Sequence, residues 1–217
     1  MCGRYTLTVN IKTVAEAFGV PPALDTAPRY NVAPTQDVVS IMRNGSAHLA
    51  WLRWGLIPSW AKDESVGSKM INARAETLAE KPSFRGLLRS KRCLVIADGF
   101  YEWKQEHGGK SPWYITLKDR EPFAFAGLWD HWKAPDGQQI LSCTIITTPP
   151  NDIVAPIHNR MPAILQPGTR DLWLNPDLRD EHELTKLLAP YPADQMTVRP
   201  VSRLVNDPKR DSAELLA

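Results

Sequence analysis

Cys2 stands directly after the initiator Met1. Aminopeptidases that trim an initiator methionine act when residue 2 is small, and cysteine qualifies, so the mature chain is expected to begin at Cys2. Its α-amine (reference pKa about 7.7–8.0) and its thiol (about 8.5) would then sit on adjacent carbons, both partly nucleophilic near neutrality. Such a 1,2-aminothiol has a reaction open to no internal residue. The amine condenses with an aldehyde to an iminium, and the thiolate closes on it to give a five-membered thiazolidine. Position alone also permits a cysteine that happens to be second and stays inert.

Three further segments set polar groups in constrained surroundings. Ile71-Asn72-Ala73-Arg74-Ala75-Glu76 follows a glycine-containing loop, and Asp98-Gly99-Phe100-Tyr101-Glu102-Trp103 places Glu102 among three aromatics. In an alternating strand that carboxylate either faces water or is a desolvated acid with a raised pKa, suited to moving protons. Pro156-Ile157-His158-Asn159-Arg160-Met161-Pro162 holds a histidine in a proline-bounded loop, where it can give and take protons near neutrality. Cys2, Glu102 and His158 have no ligand-like spacing, so neither a metal nor a cofactor is implied.

The elements that must hold these residues follow from punctuation and periodicity. Nineteen prolines end or bend segments throughout. Residues 4–9 read as a strand; Asn10 caps a helix over 11–18 that stops at Gly19. Residues 37–42 and 47–53 form a hairpin about Asn44-Gly45, and Pro82–Ser90 a helix with proline in its first turn. Strands are expected at 93–97, 100–104, 112–118, 122–129 and 138–147, with a hairpin at Lys118–Glu121. Helices are expected near 151–155, 168–174 and 180–188, and a last strand at 196–201. Strands crowd the middle and helices lie around them, which favours an α+β fold: a strongly bent, mostly antiparallel sheet or open barrel with flanking helices.

No repeat or linker divides the 217 residues, so one domain spanning 1–217 is expected. The chain is 43% hydrophobic and 23% charged, an ordinary globular balance with enough length for a core. It shows neither a signal-peptide pattern nor a run long enough to span a bilayer, and three widely spaced cysteines argue against a disulfide framework or a zinc site. A monomer in a reducing cytoplasm, away from the membrane, is the expectation. Net charge is only +2, but Lys81, Arg85, Arg89, Lys91 and Arg92 cluster without an intervening acid. Such a run is a solvated helix face or, beside chemistry, a surface for a polyanion.

Taken in order, Met1-Cys2-Gly3-Arg4-Tyr5, Arg29-Tyr30-Asn31-Val32-Ala33-Pro34, Trp54-Gly55-Leu56-Ile57-Pro58 and the three segments above resemble the SRAP family. These are the SOS-response-associated peptidases, understood as abasic-site processing proteins, and the likeness runs from residue 2 to about residue 210. It implies binding of single-stranded DNA, or of single-strand/duplex junctions, at an abasic site, with nucleoid association. It further implies covalent capture of the opened sugar by Cys2 and removal of Met1 by the protein itself. By motif match Asn72 holds the N-terminus and sugar, Glu102 manages protons on amine and sugar, and His158 promotes ring opening and adduct release. Arg4, Arg74, Arg85 and Arg160 match or neighbour phosphate contacts, which position a strand without reading its sequence. Trp54 and Trp60 are candidates for stacking on bases, Trp60 the better because it follows a Pro-Ser loop; for Trp54 core packing is the other reading. Where the family often carries adjacent tryptophans this chain has Trp60-Ala61, which implies a weaker junction wedge.

Two other readings stay open. In an N-terminal-nucleophile amidohydrolase, Cys2 attacks an amide, its amine is the base, and Asn72 helps form the oxyanion hole. In a non-catalytic single-strand binder, Cys2 is incidental.

Overall fold

The computed structural model describes residues 2–217. β1 (Arg4–Leu7) leads to α1 (Ile11–Phe18), where the Asn10 side chain accepts from Thr13 N and Gly19 closes the helix at φ +63°. β2 (Arg29–Val32) is a strand the sequence reading lacks. Four residues with no alternation give no signal, and pairing with β1 is what makes it a strand. β3 (Asp37–Asn44) and β4 (Ser46–Trp54) form the expected hairpin, but Asn44 pairs with Ser46, so Gly45 alone, at φ +74°, lies between the strands in place of a two-residue Asn44-Gly45 turn. Next come β5 (Asn72–Arg74), α2 (Pro82–Ser90), β6 (Arg92–Ala97), β7 (Gly99–Glu106), β8 (Gly109–Leu117), β9 (Phe123–Lys133) and β10 (Gln139–Thr148). Two short strands, β11 (Met161–Pro162) and β12 (Ile164–Leu165), precede α3 (Arg170–Leu174), α4 (Glu181–Lys186) and β13 (Met196–Pro200).

The α+β expectation holds, and the strands sort into two sheets. One, β13-β8-β7-β1-β2, is antiparallel throughout. In the other, β10-β4-β3-β6-β9 returns from β9 to β10, so the barrel closes rather than staying open. Closure follows from the length of β10: one edge carries β9 and the other carries β4 and then β5, both parallel. Tyr5, Trp54, Phe100, Phe123 and Phe125 pack edge-on and tilted between the layers, each at most 1% exposed.

Three local expectations are corrected. No hairpin forms at Lys118–Glu121: β8 pairs with β7 and β13, β9 with β6, β10 and β12, and the chain changes sheet through Arg120 at φ +61°. Residues 151–155 form hydrogen-bonded turns instead of a helix, because Asn151 takes Val154 N on its side chain and Ala155 N on its carbonyl between flanking prolines. β1 stops at Leu7 rather than 9, because buried Asp98 accepts from Thr8 N and Val9 N, at 2.5 and 3.1 Å, and those amides leave the ladder.

The C-terminal segment is strapped across the smaller sheet. Fully buried Asn31 donates through Nδ2 to the carbonyls of Val205, Asp207 and Arg210 at 2.8–3.3 Å, and Asp211 accepts from Tyr30 N, Asn31 N and Arg29 Nε.

Candidate active site

Cys2 lies just ahead of β1 and is fully buried. The antiparallel register of β1 on β7, Arg4 opposite Tyr101, puts Glu102 beside the first residues of the chain. The parallel pairing of β5 on β10, Asn72 opposite Ile145, brings in the third residue, and Asn72 Nδ2 donates to Cys2 O at 2.8 Å. Asn72 Oδ1 is buried without a hydrogen-bond partner among the described residues. His158 is set by the turn after Val154, its backbone N–H bonded to Val154 O at 3.0 Å, and its Nδ1 stands 4.0 Å from Glu102 Oε2. The four residues that the family resemblance marks as catalytic therefore meet at one place, although Asn72, Glu102 and His158 come from three unconnected parts of the fold.

Burial tunes each group. It pushes the Cys2 thiol well above its usual range, and the nearby Glu102 carboxylate adds to the rise. It lifts Glu102, 1% exposed, to about 7, against the opposing pull of the Trp103 backbone N–H and the Lys110 charge. Burial also lowers His158, helped by the positive charges of Lys110 and Arg160. Glu102 is thus divided between acid and carboxylate near neutrality, beside an imidazole kept largely uncharged.

The residues expected at DNA fare differently. Trp60 is 66% exposed on a braced loop: Asp130 Oδ2 accepts from Ser59 N at 2.7 Å and Trp132 Nε1 donates to Ala61 O at 2.8 Å. Arg74, in β5 two residues from Asn72, and Arg85, on α2, are exposed. Trp54 corrects the expectation of a stacking face, since it is fully enclosed, its Nε1 bonded to Ile71 O at 2.9 Å and its ring 5.4 Å from that of Tyr5. Arg4 Nη1 is committed to Asn31 Oδ1 and Val205 O, at 3.1 and 2.8 Å, and Arg160 is gripped by Glu76. The basic run is also less of a face than its sequence suggests. Arg92 is buried and donates to the carbonyls of Leu88, Trp173 and Asn175, Lys91 pairs with Asp130, and Arg89 with Glu181, so the exposed cations of the run outside these pairs are Lys81 and Arg85.

Nothing in the sequence marks Lys110 or Glu76 for a role at the site. Lys110 sits at the start of β8, a surface lysine by type, and only the hairpin's approach to the site brings its charge to bear on both Glu102 and His158. Glu76 was visible as the end of the Asn72 segment, but its partner Arg160 is 84 residues away.

A sequence profile of the SOS response associated peptidase (SRAP) family matches residues 1–208. The abasic site processing protein YoqW of Bacillus subtilis (strain 168) is 51% identical over 221 aligned residues, covering 100% of this chain and 99% of that one. The abasic site processing protein HMCES of Gallus gallus is 36% identical over 189 residues, covering 76% of this chain and 56% of that one. An X-ray structure of a protein from Bacteroides thetaiotaomicron has a TM-score of 0.88 at 31% identity, covering 99% of this chain and 98% of that chain.

Proposed function

The chain belongs to the SRAP family, and from that membership we propose that it processes abasic sites in single-stranded DNA by joining Cys2 to the ring-opened deoxyribose. The convergence of Cys2, Asn72, Glu102 and His158 carries this reading. Removal of Met1 exposes the α-amine. His158 assists opening of the sugar hemiacetal to its aldehyde, and the free Asn72 Oδ1 accepts from the hydroxyl that opening creates. The amine adds to the aldehyde and, with loss of water, gives an iminium, Glu102 taking and returning protons as a group poised near 7 can. The buried thiol is a poor acid alone, but the iminium's positive charge beside it favours the thiolate, which closes the thiazolidine. The same groups remove Met1, and slow β-elimination from the iminium gives a lyase side activity. Trp60 stacks on a base, while Arg74 and Arg85 meet phosphates, contacts that tolerate any sequence, as a lesion binder requires.

The test is the intact mass of the purified protein before and after mixing with an oligonucleotide bearing one abasic site. The expected result is a starting mass lacking Met1 and a covalent adduct that Cys2→Ala does not form. A processed chain that forms no adduct moves the reading to an amidohydrolase; retained Met1 removes the thiazolidine route.

A further inference from the structure

We propose that Glu76 is a positioning residue for His158: through Arg160 it fixes the imidazole against Glu102. The inference rests on the abasic-site reading for its kinetic consequence and on geometry alone for its structural one. Glu76 lies in the turn Ala75–Thr77 that directly continues β5, so it is carried on the same segment as Asn72. Its two carboxylate oxygens receive Arg160 Nη1 and Nη2 at 2.5 and 2.9 Å, the bidentate geometry in which an arginine loses both position and rotation. Nη2 also donates to Thr147 O at 2.6 Å, at the end of β10. The guanidinium is thus held by two elements, and with it the Arg160 peptide.

The Arg160 backbone faces His158 with both its N–H and its C=O. Arg160 N–H reaches Nδ1 at 3.0 Å, and Arg160 O lies 3.1 Å from the same nitrogen. With Nδ1 accepting, the neutral ring carries its proton on Nε2; the proton gained on becoming imidazolium goes to Nδ1, where Arg160 O accepts it. The ring therefore changes charge without turning, and the nitrogen that changes is the one 4.0 Å from Glu102 Oε2. Release of the Arg160 side chain frees the peptide and lets the ring misalign.

The experiment compares wild type, Glu76→Gln, Glu76→Asp, Arg160→Gln and the Glu76→Gln/Arg160→Gln double variant. One arm records the pH profile of adduct formation with a single-abasic-site oligonucleotide; the other records the ¹⁵N resonances of the His158 ring in the free protein. The expected results are a rate loss of roughly ten- to hundredfold in Glu76→Gln, the cost of misplacing a reacting group, partial recovery in Glu76→Asp, and a shift of the neutral ring away from the Nε2–H form. The double variant should be no slower than Arg160→Gln, because Glu76 acts only through Arg160. Unchanged ring resonances in Glu76→Gln, or losses that add in the double variant, overturn the proposal. If wild type forms no adduct, the abasic-site reading fails, and the ring resonances alone decide the role of Glu76.

Discussion

Glu102 and His158 are moved by the same burial in opposite senses, and the two shifts have separate consequences. A carboxyl raised to about 7 from an ordinary value of 4.5 binds more protons folded than unfolded between those limits, so its contribution to stability falls as pH rises through that window and stays lost above about 7. Glu102→Gln removes the buried charge, and thermal melting should find the variant more stable than wild type at pH 8, by roughly 3 kcal/mol at most, and nearly equal at pH 4. Adduct formation should respond the other way, with wild type gaining rate as Glu102 ionises near pH 7 and Glu102→Gln slower by roughly 10²–10⁴-fold with that limb gone. A variant that melts like wild type at both pH values would contradict the burial argument. The sequence discloses these residues because each stands in a short constrained segment. It conceals their environment, since residue type does not say that Trp54 is enclosed or that Arg160 is already gripped by Glu76.

At the level of elements, capping and turn chemistry read directly, while strand partnership does not. Asn10, Gly19, Gly45 and Pro82 each act within a few residues of their position, and the elements they bound lie where the sequence puts them. β2 and the crossing at Arg120 depend on strands far away in the chain, and local signals there were absent or misleading. The braced loop around Trp60 belongs to the same class, because its supports, Asp130 and Trp132, come from β9. Since those supports do not involve the indole, Trp60→Ala should leave the melting temperature unchanged while weakening single-stranded DNA binding by about 1–3 kcal/mol. Fluorescence anisotropy with a labelled oligonucleotide measures the second effect. Equal affinity for the variant would remove Trp60 from the strand path.

Across the whole molecule, the chain's repeated crossings tie the two sheets, and the C-terminal strap closes over the smaller one. Asn31, which donates three bonds to that strap while accepting from Arg4, is its fastening. Asn31→Ala removes the amide's bonds to the strap and leaves Arg4 without its Asn31 acceptor, and urea unfolding should show a loss of about 2–4 kcal/mol. Adduct formation should slow in parallel, because Arg4 begins the strand that Cys2 leads into; an unchanged rate would separate the strap from the site. The closeness of Cys2 to groups drawn from most of the chain has a further consequence during synthesis. His158 is made 156 residues after Cys2, and at about 5–20 residues per second the ribosome needs roughly eight to thirty seconds to cover that span. For all of that interval a nascent chain has its first residues but no site to enclose them. The self-removal of Met1 proposed above therefore has to wait until the whole of that span has been made.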